Sequence, residues 1–124
     1  ETGHKLILTG GEFRGISRTL VGPLSAPVIQ NLTVDKAFMG TFGITLADGI
    51  STTDASEAFT KLQIMGRAHQ VILLADHTKF GTSAFVNAGH LDAIDVLVTD
   101  NIGEAFKDGL ERVGVNVLIA PSIS

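Results

Sequence analysis

Asp76, Thr78 and Lys79 come almost directly after the apolar run Val71-Ile72-Leu73-Leu74, and Phe80-Gly81 closes the segment. A carboxylate accepts hydroxyl protons, and an ammonium binds the oxygens of an anion such as phosphate. With both side chains facing one cleft, Asp76 would hold the hydroxyls of a sugar while Lys79 held its phosphate. Position favours this chemistry, because ligands of open α/β sheets bind outside the carboxyl ends of parallel strands. A plainer role fits each residue too. Asp76 suits an acid that accepts N–H bonds within its own turn, and Lys79 a surface lysine beside it.

Gly10-Gly11 and the loop Gly40-Thr41-Phe42-Gly43 are further candidates. Glycines let a backbone approach a ligand closely and turn N–H groups toward anionic oxygens. Neither segment matches a nucleotide-binding fingerprint. Lys61 follows Glu57 by four residues, the spacing of an ordinary helix ion pair worth about 0.3–0.5 kcal/mol. The histidines His4, His69, His77 and His90 lack the helical spacing of a metal pair, so none is read as a ligand. Zero cysteines exclude a disulfide framework and a thiolate metal site. Ser17, Ser83 and Ser122 have no recognisable base partner. The residues point to no catalytic group, metal or cofactor.

The elements that must carry these groups follow from periodicity and turn chemistry. Lys5–Thr9 reads as a strand ended by Gly10-Gly11, and the stretch from Glu12 to Gly22 as irregular or weakly extended. A helix is expected from about Ser25 to Leu32, with Ser25 as N-cap, Pro27 in the first turn, and Val28, Ile29 and Leu32 facing the core. Lys36–Met39 is a strand leading into the glycine loop. From Asp54 to about His69 the spacing of Ala55, Ala58, Phe59, Leu62 and Met65 predicts a helix, capped by the pair Asp54 and Glu57. Strands Val71–Ala75 and Asp95–Thr99 follow. A second capping pair, Asn101 and Glu104, opens a helix with Ile102, Ala105, Phe106, Leu110 and Val113 on one face, stopping at Gly114. Val115–Ile119 is the last strand. Strands alternating with helices argue an α/β fold with a mostly parallel sheet and covering helices.

The chain has 124 residues, 44% of them hydrophobic, and a net charge of −4. That length suits a single domain. No apolar stretch is long enough to span a bilayer, and the acidic balance lacks the basic footprint of a duplex-binding surface. The chain opens on Glu1 with no secretory pattern after it, and is read as a piece of a longer protein.

Three segments then stand out together: Leu8–Arg14 (Leu-Thr-Gly-Gly-Glu-Phe-Arg), Val34–Ile44 (Val-Asp-Lys-Ala-Phe-Met-Gly-Thr-Phe-Gly-Ile) and Leu74–Gly81 (Leu-Ala-Asp-His-Thr-Lys-Phe-Gly). In order and spacing they resemble the C-terminal sensor domain of DeoR-type bacterial transcriptional regulators, from about Leu6 to Val117. The resemblance implies the fold of ribose-5-phosphate isomerase, glucosamine-6-phosphate deaminase and coenzyme A transferases, used as a sensor of a phosphorylated sugar without turnover. Residue by residue, it assigns ligand binding to Asp76 and Lys79, to Gly40 and Gly43 of the glycine loop, and to Lys61; Gly10, Gly11 and Thr41 stay in the candidate ligand-binding set as parts of glycine turns. It also implies a cytoplasmic homo-oligomeric repressor of sugar metabolism, binding DNA through a winged helix-turn-helix absent from this chain. The 124 residues would then be a partial effector-sensing domain, with exposed apolar surface covered by another copy of the chain. Two other roles remain open on the residues alone. One is a sugar-phosphate isomerase or deaminase on the same fold, and the other is a dimerisation module with a vestigial ligand site.

Overall fold

The computed structural model of the chain describes residues 12–15, 19–22 and 26–120. Short strands β1 (Glu12–Arg14) and β2 (Thr19–Val21) pair antiparallel, so the stretch read as irregular or weakly extended carries two short extended segments. Helix α1 (Ala26–Ile29) is a single turn rather than a run to Leu32. Asn31 N and Leu32 N bond three residues back, to Val28 O and Ile29 O, which tightens and ends the helix. Ser25, the expected cap, lies outside the described residues.

The remaining elements are β3 (Val34–Met39), β4 (Gly43–Thr45), β5 (Gly49–Thr52), α2 (Ala55–Met65), β6 (Ala68–Leu74), β7 (Val86–Gly89), β8 (Val96–Thr99), α3 (Glu104–Arg112) and β9 (Asn116–Ile119). Strands β3, β6, β8 and β9 lie side by side in that order, all parallel. The expected mostly parallel sheet is therefore present. Strands β4, β5 and β7 form a separate antiparallel sheet for which the sequence predicts no strand.

The core lies on one face of the parallel sheet. Ala37, Met39, Val71, Leu73, Leu97 and Val117 point into it and meet Ala58 and Met65 of α2, Leu110 of α3, and Ile44, Ile50 and Ala88 of the smaller sheet. Leu73, Leu97 and Leu110 are completely buried, each contributing about 1.5–3 kcal/mol. On the opposite face Phe38, Leu74 and Leu118 are 64%, 48% and 50% exposed.

Local chemistry sets the ends of α2. The Asp54 carboxylate accepts the N–H of Glu57 at 2.9 Å, as the capping pair predicts. The helix stops at Gly66 instead of reaching His69, because Ala68 and His69 already belong to β6. Its buried face keeps Ala58 and Met65 of the expected one but differs elsewhere. Thr60 is buried and accepts Gly22 N at 2.8 Å, whereas Leu62 and Ala55 are exposed. At α3 the capping pair Asn101 and Glu104 does not form; Gly103 is the N-cap and supplies no side-chain bond. Before β8, Asp95 Oδ2 accepts Val71 N at 2.7 Å, holding the first buried residue of β6 against its neighbour.

Candidate functional site

Parallel pairing brings the carboxyl ends of β3, β6, β8 and β9 to one edge of the sheet, so Gly40, Asp76, Asp100 and Ala120 follow the strands there. Ala75 N continues the sheet by donating to Val98 O at 3.1 Å. The chain then turns at once. Asp76 Oδ1 accepts both the N–H and the hydroxyl of Thr78, capping a 3₁₀ turn over His77–Lys79. Those two bonds, the hydroxyl first, hold the Asp76 carboxyl below its ordinary value, and Lys79 adds to the effect. Lys79 Nζ stands 3.7 Å from Asp76 Oδ2. The two side chains thus sit together, half exposed, on the edge where the sequence placed them.

Asp100, one residue beyond β8, completes this corner. Its Oδ1 accepts His77 N at 2.9 Å and its Oδ2 lies 2.9 Å from His77 Nδ1. The imidazole bond is the main reason the Asp100 carboxyl is held below the ordinary range. Leu74, Asp76, Val98, Thr99, Asp100 and Ala120 line a shallow hollow of about 320 Å³ here. The sequence marks neither residue of the pair: His77 lacks the spacing of a metal ligand, and Asp100 belongs to no motif. A signal existed: Asp100 follows its apolar strand as Asp76 follows β6.

The end of β3 is built differently. Lys61 reaches across from α2, and its Nζ donates to Gly40 O at 2.7 Å. Burial lowers the Lys61 pKa, opposed by the Glu57 carboxylate one turn earlier. A second hollow, about 240 Å³, has walls from Leu20, Phe38 and Met39 and polar groups from Gly40, Glu57 and Lys61. Gly40 is open, with nothing near the place a Cβ would occupy. Gly43 is the reverse: a Cβ there would stand 2.1 Å from Thr82 O, so the absence of a side chain answers to packing. The Thr41 hydroxyl is turned inward, 2.8 Å from Gly43 O and 3.2 Å from Ser51 O.

Of the residues singled out in the sequence, Asp76 and Lys79 are therefore neighbours at one strand end. Lys61 meets Gly40 at another, while Thr41 and Gly43 face the protein's own backbone. Gly10 and Gly11 lie outside the described residues. Among the described residues no group of His, Asp and Glu is arranged to hold a metal ion, and no helix is long and apolar enough to cross a membrane.

Residues 1–101 match the sequence model of the DeoR C terminal sensor domain. The chain is 36% identical over 118 residues to the HTH-type transcriptional repressor GlcR of Bacillus subtilis (strain 168), covering 94% of this chain and 45% of that protein. It is 32% identical over 119 residues to the HTH-type transcriptional regulator GlpR of Haloferax volcanii, covering 95% and 47%. A third relative, the glycerol-3-phosphate regulon repressor of Escherichia coli (strain K12), is 32% identical over 96 residues, covering 77% and 38%. The chain spans less than half the length of these relatives.

Proposed function

The chain belongs to the DeoR C-terminal sensor domain family, and on that premise we propose that it is the effector-sensing part of a transcriptional regulator of sugar metabolism. The effector is a phosphorylated sugar or a related metabolite. The observation that carries this reading is the pairing of Asp76 with Lys79 at the carboxyl end of β6, where an acceptor of hydroxyl protons stands beside an ammonium. Lys79 binds the phosphate and Asp76 the sugar hydroxyls, with Lys61 and Gly40 closing the site from the end of β3. DNA is bound by a winged helix-turn-helix elsewhere in the protein, which works as a homo-oligomer in the cytoplasm. Effector binding shifts the balance between DNA-competent and DNA-incompetent arrangements, which requires unequal affinity for the two.

The domain senses without turning its ligand over. General acid catalysis needs a group that holds a proton near neutral pH, and the Asp76 carboxyl is kept ionised by Thr78. The experiment is a thermal-shift and product assay on the intact protein with pentose, hexose and amino-sugar phosphates. A ligand at a hundredfold excess over Kd stabilises the folded state by about 2.7 kcal/mol, so protection with no product is expected. Isomerised product or released ammonia, abolished by Asp76→Asn, would replace the sensor by an enzyme. Operator binding by the intact protein, altered by the same ligand, tests the regulatory half.

A further inference from the structure

His77 does more at this edge than follow Asp76. Its backbone N–H and its Nδ1 both meet the Asp100 carboxylate, so one acid at the end of β8 fixes both the start of the 76–81 loop and the plane of the ring. An ionised carboxylate only accepts hydrogen bonds, so Nδ1 must carry the proton. The neutral ring then has a bare lone pair on Nε2. Nε2 has no partner among the described residues, and the side chain is 55% exposed beside the hollow that Asp76 and Asp100 line.

We propose that His77 belongs to the ligand site as a hydroxyl acceptor through Nε2, and that Asp100 is the positioning residue that sets its tautomer. The proposal rests on the sugar-phosphate reading and deepens it. Adjacent in the chain, Asp76 and His77 give the end of β6 two acceptors, which suits the polyhydroxyl part of the ligand rather than its phosphate. The ammonium of Lys79 remains for the anion. The tautomer is what makes the assignment chemical rather than steric. With the proton on Nε2, the ring would donate outward and favour an oxygen lone pair instead.

The test uses the intact protein labelled with ¹⁵N in its histidines, with His77 assigned by substitution. At about pH 8.5, well above the ordinary histidine pKa of about 6.5, the ring nitrogen shifts report the tautomer directly. Wild type is expected to show Nδ1–H at His77, and Asp100→Asn to invert it, because the amide can donate to Nδ1. His77→Asn keeps a donor for Asp100 and replaces the outward Nε2 by an amide oxygen held closer to the backbone, out of reach of the same hydroxyl. It should therefore preserve slow exchange of the Lys79 and Phe80 amides, which bond back to Asp76 O and His77 O. Its affinity for glucose 6-phosphate, fructose 1-phosphate or glycerol 3-phosphate, whichever binds, should fall roughly 2- to 12-fold, the loss of one neutral hydrogen bond. Affinity for inorganic phosphate should not change. An Nε2–H tautomer in wild type, or unchanged sugar-phosphate affinity in His77→Asn, overturns the proposal. If none of the three probes binds wild type, the sugar-phosphate reading fails and the recognition role fails with it. The tautomer of Asp100→Asn then still decides whether Asp100 controls the ring.

Discussion

The ends of β3 and β6 lie on the same edge of one sheet and treat charge in opposite ways. At β6 the ionised groups stand near water, and hydrogen bonds from Thr78 and His77 favour the charged carboxylates of Asp76 and Asp100. At β3 burial works against the charge of Lys61, whose ammonium is already given to Gly40 O and backed by the apolar walls of Phe38 and Met39. One end is ready to exchange water for a polar ligand. The other holds a cation that an incoming anion would have to draw from its own backbone partner. The difference teaches that two lysines near strand ends are not equivalent, and it supports the proposal that Lys79 rather than Lys61 takes the phosphate.

Substitution of Lys79 should break this contrast most visibly. A charge-assisted bond to phosphate contributes about 1.5–3 kcal/mol, so Lys79→Ala should weaken sugar-phosphate binding roughly 10- to 150-fold in a calorimetric titration, with the fold intact. Unchanged affinity would return Lys79 to an ordinary surface lysine.

Within the β3 loop the two glycines separate packing from openness. Gly43→Ala forces a Cβ into Thr82 backbone and should cost about 1–3 kcal/mol in denaturant unfolding. Gly40→Ala meets nothing and should stay within about 0.5 kcal/mol. Equal costs would remove the distinction.

Lys61→Met keeps the aliphatic stem and removes the ammonium. Because Nζ is already engaged, the expected loss of ligand affinity is smaller, roughly 3- to 10-fold. A larger loss than that of Lys79→Ala would move the phosphate to the β3 end.

The smallest effect concerns acid. Asp76 and Asp100 both have carboxyl pKa values lowered by folding, so each favours the native state above the ordinary aspartate pKa of about 4. That contribution fades as pH falls through their lower folded values. Thr78→Val removes the largest cause at Asp76, and its carboxyl, followed by ¹³C NMR, should titrate closer to the ordinary value. An unmoved titration would mean that the backbone N–H at position 78 or Lys79, and not the Thr78 hydroxyl, controls the group.

Much of this architecture was legible because the parallel strands are apolar runs and α2 carries a true cap at Asp54. The smaller sheet was not, since β4, β5 and β7 are three or four residues long and β5 buries Ser51 and Thr52 as fully as Ile50. Such segments offer no alternation to read. The Asn101 and Glu104 pattern misled because a capping motif needs the right backbone as well as the right spacing, and Gly103 took that position. At the site, Asp76 and Lys79 are near in sequence and could be paired by eye. Asp100 and His77 are 23 residues apart, and only the adjacency of β6 and β8 joins them.

Strand β8 holds β6 with an aspartate at each end: Asp95 takes the N–H of Val71, and Asp100 takes that of His77. Together they act as a ruler laid along β6. A slip of one residue between the strands would turn the Leu73 face outward and break both bonds at once. Alignment errors during folding are thus penalised at the core and at the ligand loop together. A chain that has paired these strands correctly has, by the same event, placed Asp76 and Lys79.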